Sequence, residues 1–452
     1  MTDTVYDMVI LGAGSGGYAA ALRGAQLGLK VALIEADKVG GTCLHRGCVP
    51  TKAILHAAET ADTVREASAL GIRAALEGID MPAVKAYKDG IISRMYKGLQ
   101  GLVASRGIDF IQGWGRLVAP DAVEVDGRRI TGKNVILASG SYSKDIGQEI
   151  SGPVMTSEQA LELDHVPASA VILGGGVIGV EFASLYSTLG SKVTVIEMAP
   201  EILPFMDDDL AARARAAMKD VAFELGCRVE SLDGGTVHYS KDGESKSVEA
   251  DVVLMAVGRR PATAGWGAEE AGLEIDRGVV VDDMMRTNLP NVWAIGDVTG
   301  RSLLAHAAYR MAEIASANIL DPTAKKRGEV MRWHTVPWAV FSIPEAAGVG
   351  LTESAAKREG RPVLVAKVPA LMSGRFIAEN GFKAPGEAKI LVDPDTHQVL
   401  GIHVLGAYAA EMIWGAQAVL EMELTVEDLR QVVFPHPTVS EVIREAAWAV
   451  KL

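Results

Sequence analysis

The stretch GGTCLHRGCVPTK, residues 40–52, sets Cys43 and Cys48 five positions apart, with Lys52 four further on. Two thiols at that spacing can clip a metal, staple a loop or exchange electrons. A zinc site takes about four ligands at short, repeated spacings. Only His45 and His56 lie nearby and the chain has no second cysteine pair, so no metal site is expected. A structural disulfide across so short a loop gains little from loop-closure entropy, and a reducing compartment works against it. Electron exchange explains more, because the pair directly follows a nucleotide-binding pattern. Residues five apart in an ideal α-helix have Cα atoms roughly 8–9 Å apart, beyond the limit of about 7 Å for bridging. A disulfide here demands a distorted turn. The third cysteine, Cys227 in LGCRVE, reads as a small buried core residue.

The elements that position this pair belong to a repeat. Residues 9–35, VILGAGSGGYAAALRGAQLGLKVALIE, align without gaps with residues 171–197, VILGGGVIGVEFASLYSTLGSKVTVIE. Each copy opens with an apolar strand, passes a G-x-G-x-x-G turn (Gly12, Gly14, Gly17; Gly174, Gly176, Gly179), runs through a helical pattern, and ends a β-branched strand at Glu35 or Glu197. Glycines let a pyrophosphate approach the helix N-terminus, whose free N–H groups favour anions, and the terminal carboxylate reaches ribose hydroxyls. Two dinucleotides are expected. Met198, Ala199 and Pro200 follow Glu197 without a cation for a 2′-phosphate, so the second unit is expected to prefer NAD.

NVILASG (134–140) and DVVLMAVGRRP (251–261) read as strands closing each sheet, and NVWAIGDVTG (291–300) as another, ending at Gly296 and Asp297. Beyond about residue 335, AKILVDPDTHQVLGIHVLG reads as a hairpin turning at Asp393–Thr396, followed by a helix, which is α+β order. The acidic run Asp207–Asp209 reads as a solvated helix start, and the cations between 85 and 106 as the wet face of a helix.

The chain's 452 residues suggest several domains, and a formal net charge of -13 argues against nucleic acid or an acidic membrane surface as partner. No apolar run is long enough to span a bilayer, and the start lacks the pattern of a signal peptide, so a cytoplasmic protein is expected.

GGTCLHRGCVPTK resembles the redox segment of the flavin-dependent pyridine nucleotide disulfide oxidoreductases, and FPHPTVSE (434–441) resembles their His-Pro-Thr-x-Ser-Glu motif. The likeness covers essentially the whole chain. It implies an α/β chain with two Rossmann-like domains, for FAD (1–150) and NAD (151–272), a central segment (273–335) returning to the FAD domain, and an α+β dimerisation domain (336–452). Cys43 would then be the interchange thiol and Cys48 the thiol facing the flavin. Lys52 would lie by the flavin, paired with Glu181. Asp297 would hold the ribityl chain, with Thr42, Gly115, Ser139, Gly140 and Ala305 also around FAD, and Gly258 beside NAD. His436 is implied as the acid-base, oriented by Glu441 and acting on the partner subunit of a homodimer; an imidazole titrating near neutrality suits that work.

Within the family the dihydrolipoyl dehydrogenase branch fits best, on Glu197, MAVGRRP, ILVDPDTHQVLGIHVLG and HPTVSE. That implies oxidation of dihydrolipoyl groups on a lipoyl-bearing protein of a 2-oxoacid dehydrogenase complex or the glycine cleavage system, the arm arriving on another chain. His45 and Arg46 depart from the usual residues between the cysteines, and such a cation is expected to lower the thiol pKa values or favour an acidic substrate. An NADH-dependent reductase of another small disulfide is the enzymatic alternative. A flavin-bearing scaffold with idle thiols is the non-enzymatic one.

Overall fold

A computed structural model of the chain describes residues 4–321 and 329–452. Residues 1–3, part of the start whose pattern is not that of a signal peptide, and 322–328, inside the 273–335 segment, lie outside the described residues.

The two copies of the repeat build two parallel sheets with the same local design. In the first, Val31–Glu35, Val5–Leu11 and Arg128–Leu137 lie side by side in parallel, with Asp109–Gln112 beyond Val31–Glu35. In the second, Lys192–Ile196, Ser169–Leu173 and Val252–Met255 repeat that order, flanked by Val221–Glu224 and Val154–Thr156. The stretches 134–140 and 251–261 therefore close their sheets as expected. Strand Val292–Ala294 returns to the first sheet, and helix Ala305–Leu320 packs on the glycine helix Ser15–Gln26.

The glycines divide their labour identically in both copies. Gly12 (φ +100°) and Gly174 (φ +106°) make the turn, and a Cβ there would stand 2.3 Å and 2.5 Å from the carbonyl oxygens of Ala138 and Ala256. At Gly17 and Gly179 a Cβ would meet the carbonyl oxygens of Gly12 and Gly174, so only glycine lets helix and strand pack this closely. The middle glycines differ: a Cβ on Gly176 would meet nothing within 4 Å, and on Gly14 only Gly41 Cα at 4.0 Å. Those two positions leave open space against the backbone.

The third unit is an antiparallel sheet ordered Trp338–Val340, Ala346–Gly350, Val399–Leu405, Glu387–Val392, Leu364–Pro369, covered by helices Ala409–Glu421 and Glu441–Ala449. The fold is thus two Rossmann-like domains and a C-terminal α+β domain. Among the described residues no helix is long and apolar enough to cross a membrane. Cys227 is buried, as expected.

Two expectations for charged residues are corrected in part. Asp207–Asp209 does start a helix, Asp208–Ala217, and Asp208 is exposed, but the run as a whole is not solvated. Asp207 is buried, accepting from the fully buried Lys389 at 3.1 Å across the domain junction, and Asp209 and Glu353 receive the same ammonium at 2.5 and 3.2 Å. On helix Met81–Ser105, Arg94 and Lys97 are exposed as expected, but Lys88 is fully buried and donates to Leu161 O (3.0 Å) and Glu162 (2.6 Å), fastening the helix to the second domain. In both places partners distant in sequence reward burial that local patterning disfavours.

Burial works to raise the Asp209 pKa, but Lys367 and Lys389 hold it at about 2. Lys357 first, against burial, and then Lys367 and Lys389 hold Glu353 at about 2. Both carboxyls titrate near 4 when unfolded. Their contribution to stability is therefore complete above that range and drains away as pH falls from about 4 towards 2. Lys389→Met leaves Asp207 as an unpaired buried charge, an expected cost of about 3–5 kcal/mol. Denaturant unfolding measures it, and adding Asp207→Asn should restore part of the loss.

Candidate active site

The distorted turn demanded by the cysteine spacing is a helix break. Helix Gly41–Arg46 stops at Gly47 (φ −140°, ψ −109°), and helix Cys48–Glu66 starts on the next residue. Thr51 ties the restart, its hydroxyl donating to Gly47 O at 2.6 Å. Cys43 and Cys48 are free thiols in side-chain hydrogen-bond contact. Cys48 is exposed on the wall of a cavity, and Cys43 beside it is half-buried. The hydrogen bond from Cys43 depresses the Cys48 pKa to about 7 against the effect of burial, with Lys52 assisting. The bond to Cys48 and burial push Cys43 well up. Once the pair is reduced, negative charge therefore collects on Cys48, with Cys43 S–H as donor.

Lys52 lies one turn beyond Cys48 and donates to both oxygens of Glu181 at 2.8 Å. Glu181 is buried in the second glycine helix, Val177–Leu189, and also accepts from Phe341 N at 3.1 Å; the Lys52 ammonium stands 4.5 Å from the centre of the Phe341 ring. Residues of all three domains thus meet beside the thiols. The cation bearing on Cys48 is Lys52, which corrects the expectation that His45 and Arg46 lower the thiol pKa values; Arg46 does line the cavity, where the other half of that expectation, an acidic substrate, would meet it. Arg46 is paired with Asp37 and reaches Glu158 at 4.0 Å, while His45 Nε2 bonds Val39 O.

The thiols, Lys52 and Glu181 line one continuous cavity of about 1720 Å³ with Gly14, Thr42, Gly140, Asp297, Ala305, Gly174, Gly176, Glu197 and Gly258. Ordinary ligand pockets span roughly 300–1,000 Å³, so there is room for two extended ligands. The open space at Gly14 and Gly176 is where a pyrophosphate would lie, and the residues present fit two dinucleotides. Glu35 accepts from Ala13 N at 2.7 Å, and Glu197 accepts from Gly175 N and, at 2.6 Å, from Ala199 N. Each carboxylate thus also braces its own glycine loop. Asp297 follows strand Val292–Ala294 and accepts from Ser141 Oγ at 2.5 Å; burial raises its pKa, opposed by Ser141 and Arg259.

Other expected site residues stand off the cavity wall. Gly115 lies in the first sheet, where a Cβ would strike Leu11, Val123 and Ile34. Ser139 turns its hydroxyl to Ala262 O at 2.9 Å. His436 is 79% exposed and apart from the thiols of its own chain. Its Nδ1 lies 2.9 Å from Glu441, which also accepts from Thr438 N at 3.0 Å. Those two contacts, the Thr438 N–H first, hold the Glu441 carboxyl below its usual range.

Sequence spacing missed several neighbours. Arg259 bonds Ser141 and so reaches Asp297. Phe341 joins Lys52 and Glu181 from the third domain. Arg228 lines the cavity that also receives Glu197. Tyr309 lines it as well, its hydroxyl 2.6 Å from that of Tyr18.

Comparison with known proteins bears on this arrangement. Residues 6–312 match the family model described as pyridine nucleotide-disulphide oxidoreductase, and residues 336–447 match the dimerisation domain of the same family. A dihydrolipoyl dehydrogenase of Thermus scotoductus is 39% identical, over 98% of this chain and 97% of its own. One from Bacillus subtilis is 36% identical, over 99% and 98%. Among solved structures, the HOCl-induced flavoprotein disulfide reductase RclA of Escherichia coli superposes with a TM-score of 0.85 at 30% identity, covering 99% of this chain and all of that one.

Proposed function

Taking as premise that this chain belongs to the pyridine nucleotide-disulphide oxidoreductase family, whose dihydrolipoyl dehydrogenases use FAD and NAD, we propose that it is a dihydrolipoyl dehydrogenase. The observation that supports this most is the pair Cys43 and Cys48 on the wall of a cavity into which both glycine loops open. On this reading residues 1–150 hold FAD, 151–272 hold NAD, 273–335 return to the FAD domain, and 336–452 form the interface of a homodimer working in the cytoplasm. The substrate is a dihydrolipoyl arm on a separate lipoyl-bearing protein of a 2-oxoacid dehydrogenase complex or the glycine cleavage system.

The chain's residues then act in order. A dihydrolipoyl thiol loses its proton to His436 of the partner subunit and attacks Cys43 Sγ. The Cys43–Cys48 bond breaks, and Cys48 leaves as a thiolate held beside Lys52. The second substrate thiol gives its own proton to His436 as the first passes from the imidazolium to Cys43 Sγ, and displaces Cys43, which leaves as a thiol while one proton stays on His436. Lipoyl disulfide and a reduced cysteine pair result, so two electrons have moved. FAD, when bound, supplies the acceptor for those electrons and NAD the final hydride acceptor. Glu441 orients His436 and Glu181 orients Lys52.

The test is anaerobic NAD reduction by dihydrolipoamide, followed through NADH absorbance. Rapid turnover is expected, and a flavin reducible by NADH that lipoamide does not reoxidise would sink the lipoyl assignment. The structural likeness to RclA supports a second reading, an NADH-dependent reductase of another small disulfide, which predicts that latter outcome. A scaffold with idle thiols predicts no thiol-dependent turnover in either direction.

A further inference from the structure

The two nucleotide-binding domains are stitched by a short antiparallel ribbon, Ser141–Ser143 against Arg259–Pro261, with Pro261 opposite Ser141 and Arg259 opposite Ser143. Arg259 spends its guanidinium on this ribbon. Nε donates to Ser141 Oγ at 2.8 Å, one terminal nitrogen to Ser141 O at 2.7 Å and the other to Ser143 Oγ at 3.3 Å. Next to it, Arg260 lies 4.5 Å from the ring centre of Tyr142 and holds the ribbon from its other face.

These bonds fix a direction. A guanidinium only donates, so Ser141 Oγ must accept from Arg259, and its single proton is left for Asp297 Oδ2 at 2.5 Å. The hydroxyl cannot turn round. Asp297 is therefore kept as an acceptor with Oδ2 occupied, and its Oδ1 is the oxygen available to a hydroxyl-bearing ligand in the cavity it lines.

We infer that Arg259, acting through Ser141, is a positioning residue for the flavin. A side chain of the second nucleotide domain orients the aspartate with which the first domain grips FAD, and the inter-domain ribbon thereby sets how tightly FAD is held. This rests on the reading of the Asp297 cavity as the FAD site.

The experiment measures FAD binding to apoprotein, by quenching of flavin fluorescence, for the wild type and for Ser141→Ala, Arg259→Met, Ser141→Thr and the Ser141→Ala/Arg259→Met double variant. Loss of one charge-assisted hydrogen bond predicts FAD binding about 10- to 100-fold weaker for Ser141→Ala. Arg259→Met is expected to fall in the same range. The double variant should be no weaker than the worse single one, because both cut the same chain of bonds. Ser141→Thr, which keeps the hydroxyl, should bind like the wild type. Unfolding temperatures of the apoproteins separate positioning from general damage: the inference requires FAD affinity to fall while those temperatures stay together. FAD affinity within twofold of the wild type in Ser141→Ala, or full additivity in the double variant, overturns it. A wild-type chain that takes up no FAD overturns both the inference and the cofactor reading beneath it, and is told apart by that control alone.

Discussion

Cys48→Ser is expected to abolish oxidation of dihydrolipoamide by NAD, lowering turnover by about 10⁴-fold or more, while leaving NADH able to reduce bound flavin. The reason is stoichiometric before it is structural: a serine oxygen cannot take part in the sulfur–sulfur bond that receives the two electrons. The thiol chemistry should also separate the two cysteines. Cys43 is held high first by its hydrogen bond to Cys48 and then by burial, so Cys48→Ser, which removes the first cause, should lower the Cys43 pKa and speed its alkylation near neutral pH. In Cys43→Ala the bond from Cys43, the main cause of the low Cys48 pKa, is lost, so the Cys48 pKa should rise and Cys48 should alkylate more slowly near neutral pH. Alkylation rates across the pH range, with reduced protein, measure both shifts. Equal pKa values for the two thiols in the reduced wild type would contradict the asymmetry on which their roles rest.

The Lys52 contribution has a sign that can be checked in the same experiment. Lys52 favours the Cys48 thiolate, so Lys52→Met should raise the Cys48 pKa, and Glu181→Gln should lower it, since the Glu181 charge opposes thiolate formation. Arg46→Met, by contrast, should leave it where it is, because Arg46 is committed to Asp37 and Glu158.

What the sequence made legible follows the range of the interactions. The repeat carries its own geometry: turn glycine, open glycine, packing glycine and terminal carboxylate sit within one βαβ unit, and local spacing alone placed both sheets. The cysteine pair was legible for the same reason, the needed distortion being contained in residues 41–48. The Lys52–Glu181 pair spans 129 positions and came only from the family likeness. Arg259, Ser141 and Asp297 are spread over two domains and a returning strand, and nothing in their local composition distinguishes them from turn residues. Charged residues misled where their partners were remote. Asp207 and Lys88 read as wet because an isolated charge belongs in water, and each is buried because a partner distant in the chain awaits it. Arg46 read as a charge free to act on the thiols, but Asp37, only nine residues earlier, folds back onto it, a contact that depends on the loop's path rather than on sequence distance.

His436→Ala is expected to lower dihydrolipoamide oxidation by about 10²–10⁴-fold, the range for loss of a general acid-base. Glu441→Gln should cost less, since the imidazole survives and loses only the carboxylate that orients it. The position of His436 makes a sharper test possible. In its own chain it is exposed and stands apart from Cys43 and Cys48, so it must serve a second copy if it serves a dithiol at all. In a twofold dimer each site would then draw its cysteines from one chain and its histidine from the other. Cys48→Ser and His436→Ala homodimers are each expected to be nearly inactive. A mixed dimer has one site with both lesions and one with neither, so random reassociation of equal amounts should restore roughly a quarter of wild-type turnover. If His436 served its own chain, every site in the mixture would carry one lesion and activity would stay at the level of the parents. Recovery therefore establishes the shared site, and its absence after proven subunit exchange removes His436 from the partner's chemistry.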